Sequence, residues 1–381
     1  MPPHPYRPDS LAWQVFRGSD AIRRGLLTRH QLRSASWIRL LHDVYADARL
    51  DRDHGLTCRA ALLRLPPDAA IAGPSAAYLH GIEHAASFTD EVHVLVPRTI
   101  RVDSQRGIRV HSVGPLPPTA DVAGGRGAGD RSGDRDRPAV DNRPGIGNRP
   151  AAGDRPGVRT RPAAGDRPGV GDSAAGRLAA TAGAAGQVGT HRGSEPVAHR
   201  PPVSVGMLQR SDPGAAAWET AVWLDPVRAV GIVDSLLARG LTTRAALADV
   251  ATHNAERPGG RRASWVFGLA DPGAQSPPES HLRVRLVLAG LPRPVVQHPV
   301  RLPNGLVLHP DLAWPECRAA VEYDGHWHAD ADQLHADRRR LNQLVSAGWL
   351  VLHVTSRRLH RDFPGVLREV RSALAARGRR R

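Results

Sequence analysis

His309-Pro310-Asp311-Leu312-Ala313-Trp314, followed after a short break by Val321-Glu322-Tyr323-Asp324-Gly325-His326-Trp327-His328, decides how the C-terminal part of this chain is read. The first run is apolar beyond its acid and reads as a strand. Pro315 and Glu316 mark a turn, and Arg318 to Asp324 reads as the returning strand. A turn centred between Glu316 and Cys317 sets Asp311 directly across from Glu322. Side chains alternate along a strand, so Glu322 and Asp324 share one face. Three carboxylates are then expected to converge. Burying that much like charge is costly unless a cation joins it or some groups hold protons. Hard oxygen donors of this kind suit Mg²⁺ or Mn²⁺. Taken singly, each acid has a plainer reading: Asp311 as a strand-entry residue after Pro310, Glu322 and Asp324 as the solvated face of an edge strand. As a set ending in two histidines, they favour a site.

Working outward, Ser276-Pro277-Pro278-Glu279 has capping-box spacing with proline in the first turn, and opens a helix to about Ala289. Gly290 and Pro292 end it. Val295 to Val300 reads as a strand, and Asn304-Gly305 as a tight turn into Leu306–His309. After the Asp311 and Glu322 strands, a helix is expected from about Asp330 to Ala347, closed by Gly348. Trp349 to Val354 is a buried strand and 362–377 a last helix. The order is α-β-β-β-α-β-α.

These residues resemble an uncharacterised bacterial family allied to the very-short-patch-repair endonucleases, in the restriction-endonuclease-like superfamily. The matching segments are Ser276-Pro277-Pro278-Glu279-Ser280, Gly290-Leu291-Pro292 with Gln297, Pro310 to Glu316, Val321 to Gly325, and Asp337 to Leu341 with Gly348-Trp349. The resemblance implies that Asp311 and Glu322 hold the metal and that Glu279 is the helix acid that reaches it through water. A metal there would polarise a phosphoryl oxygen for phosphodiester hydrolysis. The superfamily usually has lysine two residues after the second acid; here that residue is Asp324. The resemblance then points to His326 or His328 as the base, His328 being preferred, since imidazole titrates in a suitable range. The ordinary alternatives are packing beside Trp327 and capping of the next helix. Glu279 is equally explained by its capping box. Gln297 either lines the site or satisfies a backbone group. Arg338 and Arg340 follow the site on a helix and are candidates for gripping phosphate, against the usual fate of a solvated helix face. Zinc is not favoured: His309, His326, His328 and Cys317 match no common zinc spacing.

The chain divides further upstream. Residues 10–113 are expected to fold, with a short helix from Ser19 or Asp20 to Gly25 and a second from the capping box Thr28–Gln31 to about Ser34. A hairpin follows around His42-Asp43, then helices at about 53–65 and 75–81, and paired strands at Val92–Val96 and Ile108–His111. This region resembles the winged-helix N-terminal domain of abortive-infection type IV antitoxins, most closely over 15–50. A DNA-reading helix-turn-helix needs a second helix for the major groove. Here only Arg29, His30 and Arg33 would be available to it. A packing or dimerisation module is the alternative. Residues 114–202 are rich in Gly, Pro, Arg and Asp, and Arg149 to Val158 recurs from Arg161 to Val170. Such a stretch lacks the apolar bulk to offset ordering entropy, and a disordered linker is expected. Residues 203–275 read as a helical connector, with helices around Trp218–Trp223 and Val227–Leu237, and a third capped by Thr242 or Thr243. The fold class is therefore a multidomain mixture of α+β and α/β: a winged-helix-like module, a linker, the connector, and a restriction-endonuclease-like domain over 276–381.

Charge agrees with a polyanion partner. Lys and Arg number 52 against 37 acids, a net +15, and no lysine occurs in the chain. Arginine forks match phosphate oxygens. Aromatic residues are only 4%, against base stacking as the main mode of binding. With two cysteines a disulfide framework is not expected, and no apolar run suits a signal peptide or a membrane span. A cytoplasmic protein with DNA as partner, no membrane partner and a possible homodimer is expected. Two activities fit: a metal-dependent DNA endonuclease acting in repair or phage defence, or a non-catalytic DNA-binding regulator that keeps a degenerate nuclease domain.

Overall fold

The computed structural model describes residues 6–113, 208–325 and 331–378, with backbone alone for Val113 and 331–338. The expected linker at 114–202 and the histidines at 326 and 328 lie outside the described residues. The chain is mixed α and β, with open sheets.

β1 (Val15–Arg17), α1 (Gly18–Arg23) and the hairpin β2 (Trp37–Leu41) and β3 (Val44–Asp47) begin the chain, in a sheet ordered β1-β3-β2. Between α1 and β2, Thr28 and Gln31 cap each other reciprocally: the Thr28 N–H donates to Gln31 Oε1 (2.7 Å) and the Gln31 N–H to Thr28 Oγ1 (3.2 Å). The box closes only a 3₁₀ turn, Gln31–Arg33, so the helix expected to Ser34 is one turn. Ser19 does not cap α1 either. Its N–H and Oγ both donate to the Asp43 carboxylate, at 2.8 and 2.5 Å. Asp43 stands at φ 60° in the hairpin turn.

α2 (His54–Leu62), β4 (Ala70–Ile71), α3 (Gly73–Leu79), β5 (Val92–Pro97) and β6 (Ile108–Val113) follow; β4 runs antiparallel and β6 parallel to β5. Next come α4 (Pro213–Trp223), α5 (Pro226–Ala238), α6 (Arg244–His253) and α7 (Gly260–Leu269). α4 and α5 each start Asp-Pro: Asp212 and Asp225 accept backbone N–H groups while proline fills the position that needs no donor. Thr243 caps α6. The fourth helix, α7, has no counterpart in the sequence reading, because its Arg261, Arg262 and Ser264 blur the apolar spacing.

These helices are more than a connector. Ala216 is buried with Cys58, Ile71 and Val94; Ala217 and Ile232 with Ala77 and Ile82; Ala229, Val230 and Val266 with Val284 of the next helix. Gln209 and Ser211 also hydrogen-bond to Ile71 on β4 (2.8 and 2.9 Å).

The C-terminal part starts with α8 (Pro277–Leu288), then β7 (Val295–Val296), β8 (Val300–Arg301), β9 (Val307–Leu308), β10 (Leu312–Trp314), β11 (Ala319–Asp324), α9 (Ala331–Ser346), β12 (Leu350–Thr355), α10 (Ser356–Arg361) and α11 (Phe363–Gly378). The strand expected over Val295–Val300 is broken: Gln297 takes φ 51° and Pro299 has no N–H to give. β7 therefore pairs with β10, while β8 and β9 form a separate hairpin. The main sheet runs β12-β11-β10-β7, with β11 and β12 parallel. One face, carrying Leu312, Trp314, Val321 and Val354, is buried against Leu282, Leu286, Leu359, Val366 and Val370 of α8, α10 and α11. The other, carrying Ala313 and Ala320, meets Val300, Leu308, Leu344 and Trp349. Each fully buried leucine contributes about 2 kcal/mol, so this two-sided burial is what holds β11 in the middle.

α8 is tied to α5 by a buried ion pair. Arg283 Nη2 lies 2.6 Å from Asp234 Oδ2, with side chains 1% and 2% exposed. Ser280 Oγ (2.7 Å) and the Asp271 N–H (2.6 Å) donate to the same carboxylate, and Arg283 Nη1 donates to the Leu269 carbonyl (2.5 Å). Among the described residues no helix is long and apolar enough to cross a membrane.

Candidate functional site

The turn Pro315–Cys317, with Arg318 at φ 45°, folds β11 back on β10 in the register Leu312↔Val321 and Trp314↔Ala319. Continued by one residue, this register sets Asp311 opposite Glu322, the pairing expected from the sequence. Alternation puts Glu322 on the Ala320 face, toward α9.

Asp311 is half-buried and held on both oxygens. Its Oδ2 accepts the Tyr323 N–H at 2.8 Å and its Oδ1 accepts Gln297 Nε2 at 3.2 Å. The bend at Gln297 that breaks the strand thus serves to aim its amide at Asp311. Burial raises the Asp311 pKa above the ordinary aspartate value, against the two hydrogen bonds and the charge of Arg340.

Glu322 is 8% exposed. Burial, then the Asp311 charge, push its pKa up to about 7; Glu279 adds to the rise and Arg340 opposes it. Arg340 Nη2 sits 3.2 Å from Glu322 Oε1, yet off hydrogen-bond geometry, so this buried oxygen has no hydrogen-bond donor among the described residues. Arg340 also donates to the His309 carbonyl. Arg340, a candidate for gripping phosphate, lies beside the acid with its side chain 39% exposed. Nothing is described of the Arg338 side chain.

Glu279 opens α8 and is buried. Its N–H donates to Ser276 Oγ (3.4 Å), as the capping box read from the sequence requires, while its Oε1 accepts Ser276 Oγ (2.7 Å) and its Oε2 accepts the N–H of Gln275 (3.0 Å), one residue before the N-cap. Burial, and then the Asp311 charge, raise its pKa. Asp324 is exposed at the end of β11. The acids that feel one another are thus Asp311, Glu322 and Glu279, rather than Asp311, Glu322 and Asp324. Among the described residues no group of three or more His, Cys, Asp or Glu side chains forms a metal site.

The donor set nonetheless suits a hard divalent ion. Mg²⁺ is commonly bound by one or two carboxylates plus water and phosphate oxygens. Asp311 and Glu322 are two neighbouring carboxylates, and a buried oxygen without a donor is the kind of vacancy in hydrogen bonding that a cation satisfies.

Two features escaped the sequence. His353, exposed on β12, is in parallel register with Glu322, and its charge acts on Asp311. A polar residue inside Trp349-Leu350-Val351-Leu352-His353-Val354 was the available signal. Thr355, in register with Asp324, leads straight into α10, whose Ser356, Arg357, His360 and Arg361 line an open cavity of about 600 Å³. Arg29 and Arg33 are exposed around the 3₁₀ turn of the N-terminal part.

No known protein-family profile matches the chain, and no solved structure matches it. It is similar to uncharacterized proteins from two strains of Mycobacterium tuberculosis, 31% identical over 157 residues. The match covers 40% of this chain and spans 58% of the length of those relatives.

Proposed function

We propose that this chain is a metal-dependent endonuclease of restriction-endonuclease-like fold that hydrolyses DNA phosphodiester bonds, with Asp311 and Glu322 holding Mg²⁺ or Mn²⁺. The observation that carries this reading is the pair itself: two acids on adjacent strands, each shifted toward its neutral form by burial, one with a buried oxygen lacking a donor. The bound ion would stabilise charge developing on the phosphoryl oxygens and activate the attacking water. Gln297 orients Asp311, and Glu279 stiffens the start of α8 beside it. Arg340 supplies positive charge in a chain that has no lysine. The Arg357–Arg361 surface lies at the sheet end where β11 and β12 finish, and in this reading it would receive the DNA backbone. Cleavage in a repair or phage-defence setting, in the cytoplasm, is the corresponding role.

Supercoiled plasmid incubated with the purified protein and Mn²⁺ or Mg²⁺ is expected to be nicked, and Asp311→Ala is expected to abolish the nicking. Nicking that persists in the Asp311→Ala, Glu322→Ala double variant points to a contaminant and defeats the reading.

One observation favours a second reading, a DNA-binding regulator with a degenerate nuclease domain: Arg340 already stands 3.2 Å from Glu322 Oε1, where a cation would bind. Calorimetric titration with Mn²⁺ separates the two. Absent heat of binding, together with sequence-specific duplex binding, selects the regulator.

A further inference from the structure

We infer that the N-terminal part grips the nucleic-acid backbone through an arginine pocket beside the β2–β3 hairpin, rather than through the short turn that carries Arg29 and Arg33. An open cavity of about 570 Å³ is lined by Arg17, Ser19, Arg39, His42, Asp43, Tyr45 and Arg64. Four separate stretches of chain supply its charge: the end of β1, the middle of β2, the hairpin turn, and the residue pair after α2. Three arginines face one carboxylate, so the pocket is net positive before any protonation of His42.

The one acid is already engaged. Asp43 accepts both the N–H and the hydroxyl of Ser19, which fixes the turn. The Arg39 Nε donates to the Leu41 carbonyl (3.3 Å) and the Arg64 Nη1 to the His42 carbonyl (3.0 Å). Each contact uses one of the five N–H donors of a guanidinium and anchors the rest of the fork at the cavity. Arg17, Arg39 and His42 are exposed, so an incoming anion can reach them. Planar forks fixed in this way suit phosphate oxygens, which accept two parallel N–H groups from each. Tyr45 is the one aromatic among the lining residues, and charged and polar side chains make up the rest, so the contact is read as one that positions the duplex rather than one that reads its sequence. The turn at Gln31–Arg33, by contrast, is too short to lie in a major groove.

This inference concerns docking and stands apart from the metal chemistry, so its test is run on the full-length chain in EDTA. Binding of a fluorescein-labelled 20-base-pair duplex is measured against salt for wild type, Arg17→Gln with Arg39→Gln, and Arg98→Gln with Arg101→Gln. The last pair removes the same charge from exposed positions outside the pocket. Each lost phosphate contact lowers the salt slope by about 0.9, so the pocket variant is expected to lose about 2 from the slope and about tenfold or more in affinity at 0.1 M salt. The Arg98, Arg101 variant is expected to stay near wild type. Arg17→Lys with Arg39→Lys keeps the charge and is expected to keep the slope while binding more weakly, which guards against a glutamine variant that merely misfolds. Equal loss in both glutamine variants, no loss in either, or no duplex binding by wild type overturns the pocket. A protein that never nicks DNA but behaves as expected here removes the nuclease and leaves the pocket standing.

Discussion

Replacing Glu322 with glutamine is expected to stabilise the metal-free protein in alkaline solution. Glu322 is 8% exposed, and its pKa is raised from 4.5 to about 7 by burial and by Asp311. At about 1.4 kcal/mol for each pH unit, ionising it in the folded chain costs about 3 kcal/mol more than in the unfolded chain. The sign follows from proton counting. The folded chain keeps this proton up to about pH 7, whereas the unfolded chain releases it near 4.5. Stability therefore falls as pH rises through that window, and the loss is complete above it. Glutamine has the shape of the neutral acid and does not titrate. In urea unfolding with EDTA, the advantage of Glu322→Gln should grow from under about 1 kcal/mol near pH 5 to about 3 kcal/mol at pH 8.5. Mn²⁺ should then close most of the gap: at a hundred times its dissociation constant it restores about 2.7 kcal/mol to wild type and little to the variant. Parallel pH profiles for the two proteins would refute the claim that Glu322 is held near its neutral form.

Two further outcomes are expected. Arg340→Met removes the charge that opposes the Glu322 shift, so the alkaline loss of stability should deepen and its midpoint move above that of wild type; an unmoved midpoint in the same urea series shows that Arg340 does not act on Glu322. Asp234→Ala leaves Arg283 buried without its counter-ion and should cost about 3–5 kcal/mol, while Asp234→Leu with Arg283→Met should recover most of it; equal losses in the single and double variants contradict the account of that pair.

The acidic hairpin was legible because its information is local. Turn residues at Pro315 and Glu316 fix a centre, the centre fixes the register, and the register fixes Asp311 against Glu322. The capping boxes at Thr28–Gln31 and Ser276–Glu279 were legible for the same reason. What stayed hidden depends on partners distant in sequence. The Thr28 box could not say that its helix would stop after one turn, since Trp37 and Ile38 are drawn immediately into a sheet. The Val295–Val300 strand was misread because Gln297 bends toward Asp311, fourteen residues on. Nothing local in Arg340 tells whether it reaches outward to phosphate or inward to Glu322; that is decided by the place of α9 over the sheet. α7 and α10 are rich in arginine, and their apolar spacing is correspondingly faint.

The missing lysine bears directly on how such a site would work. Arg340 stands beside Glu322 and can offset charge, but a guanidinium keeps its protons at any pH the fold tolerates and cannot take one from water. Asp311 has both oxygens committed to donors, and Glu279 has both committed to its cap. A histidine is the candidate for that role in the nuclease reading. His328 lies outside the described residues, while His353 faces Glu322 across the β11–β12 ladder. In the nuclease reading the positive charge and the proton acceptor, roles that one lysine could combine, are divided between an arginine on α9 and a histidine. On that reading the lack of lysine is compatible with catalysis, with Arg340, still 39% exposed, offsetting charge at Glu322.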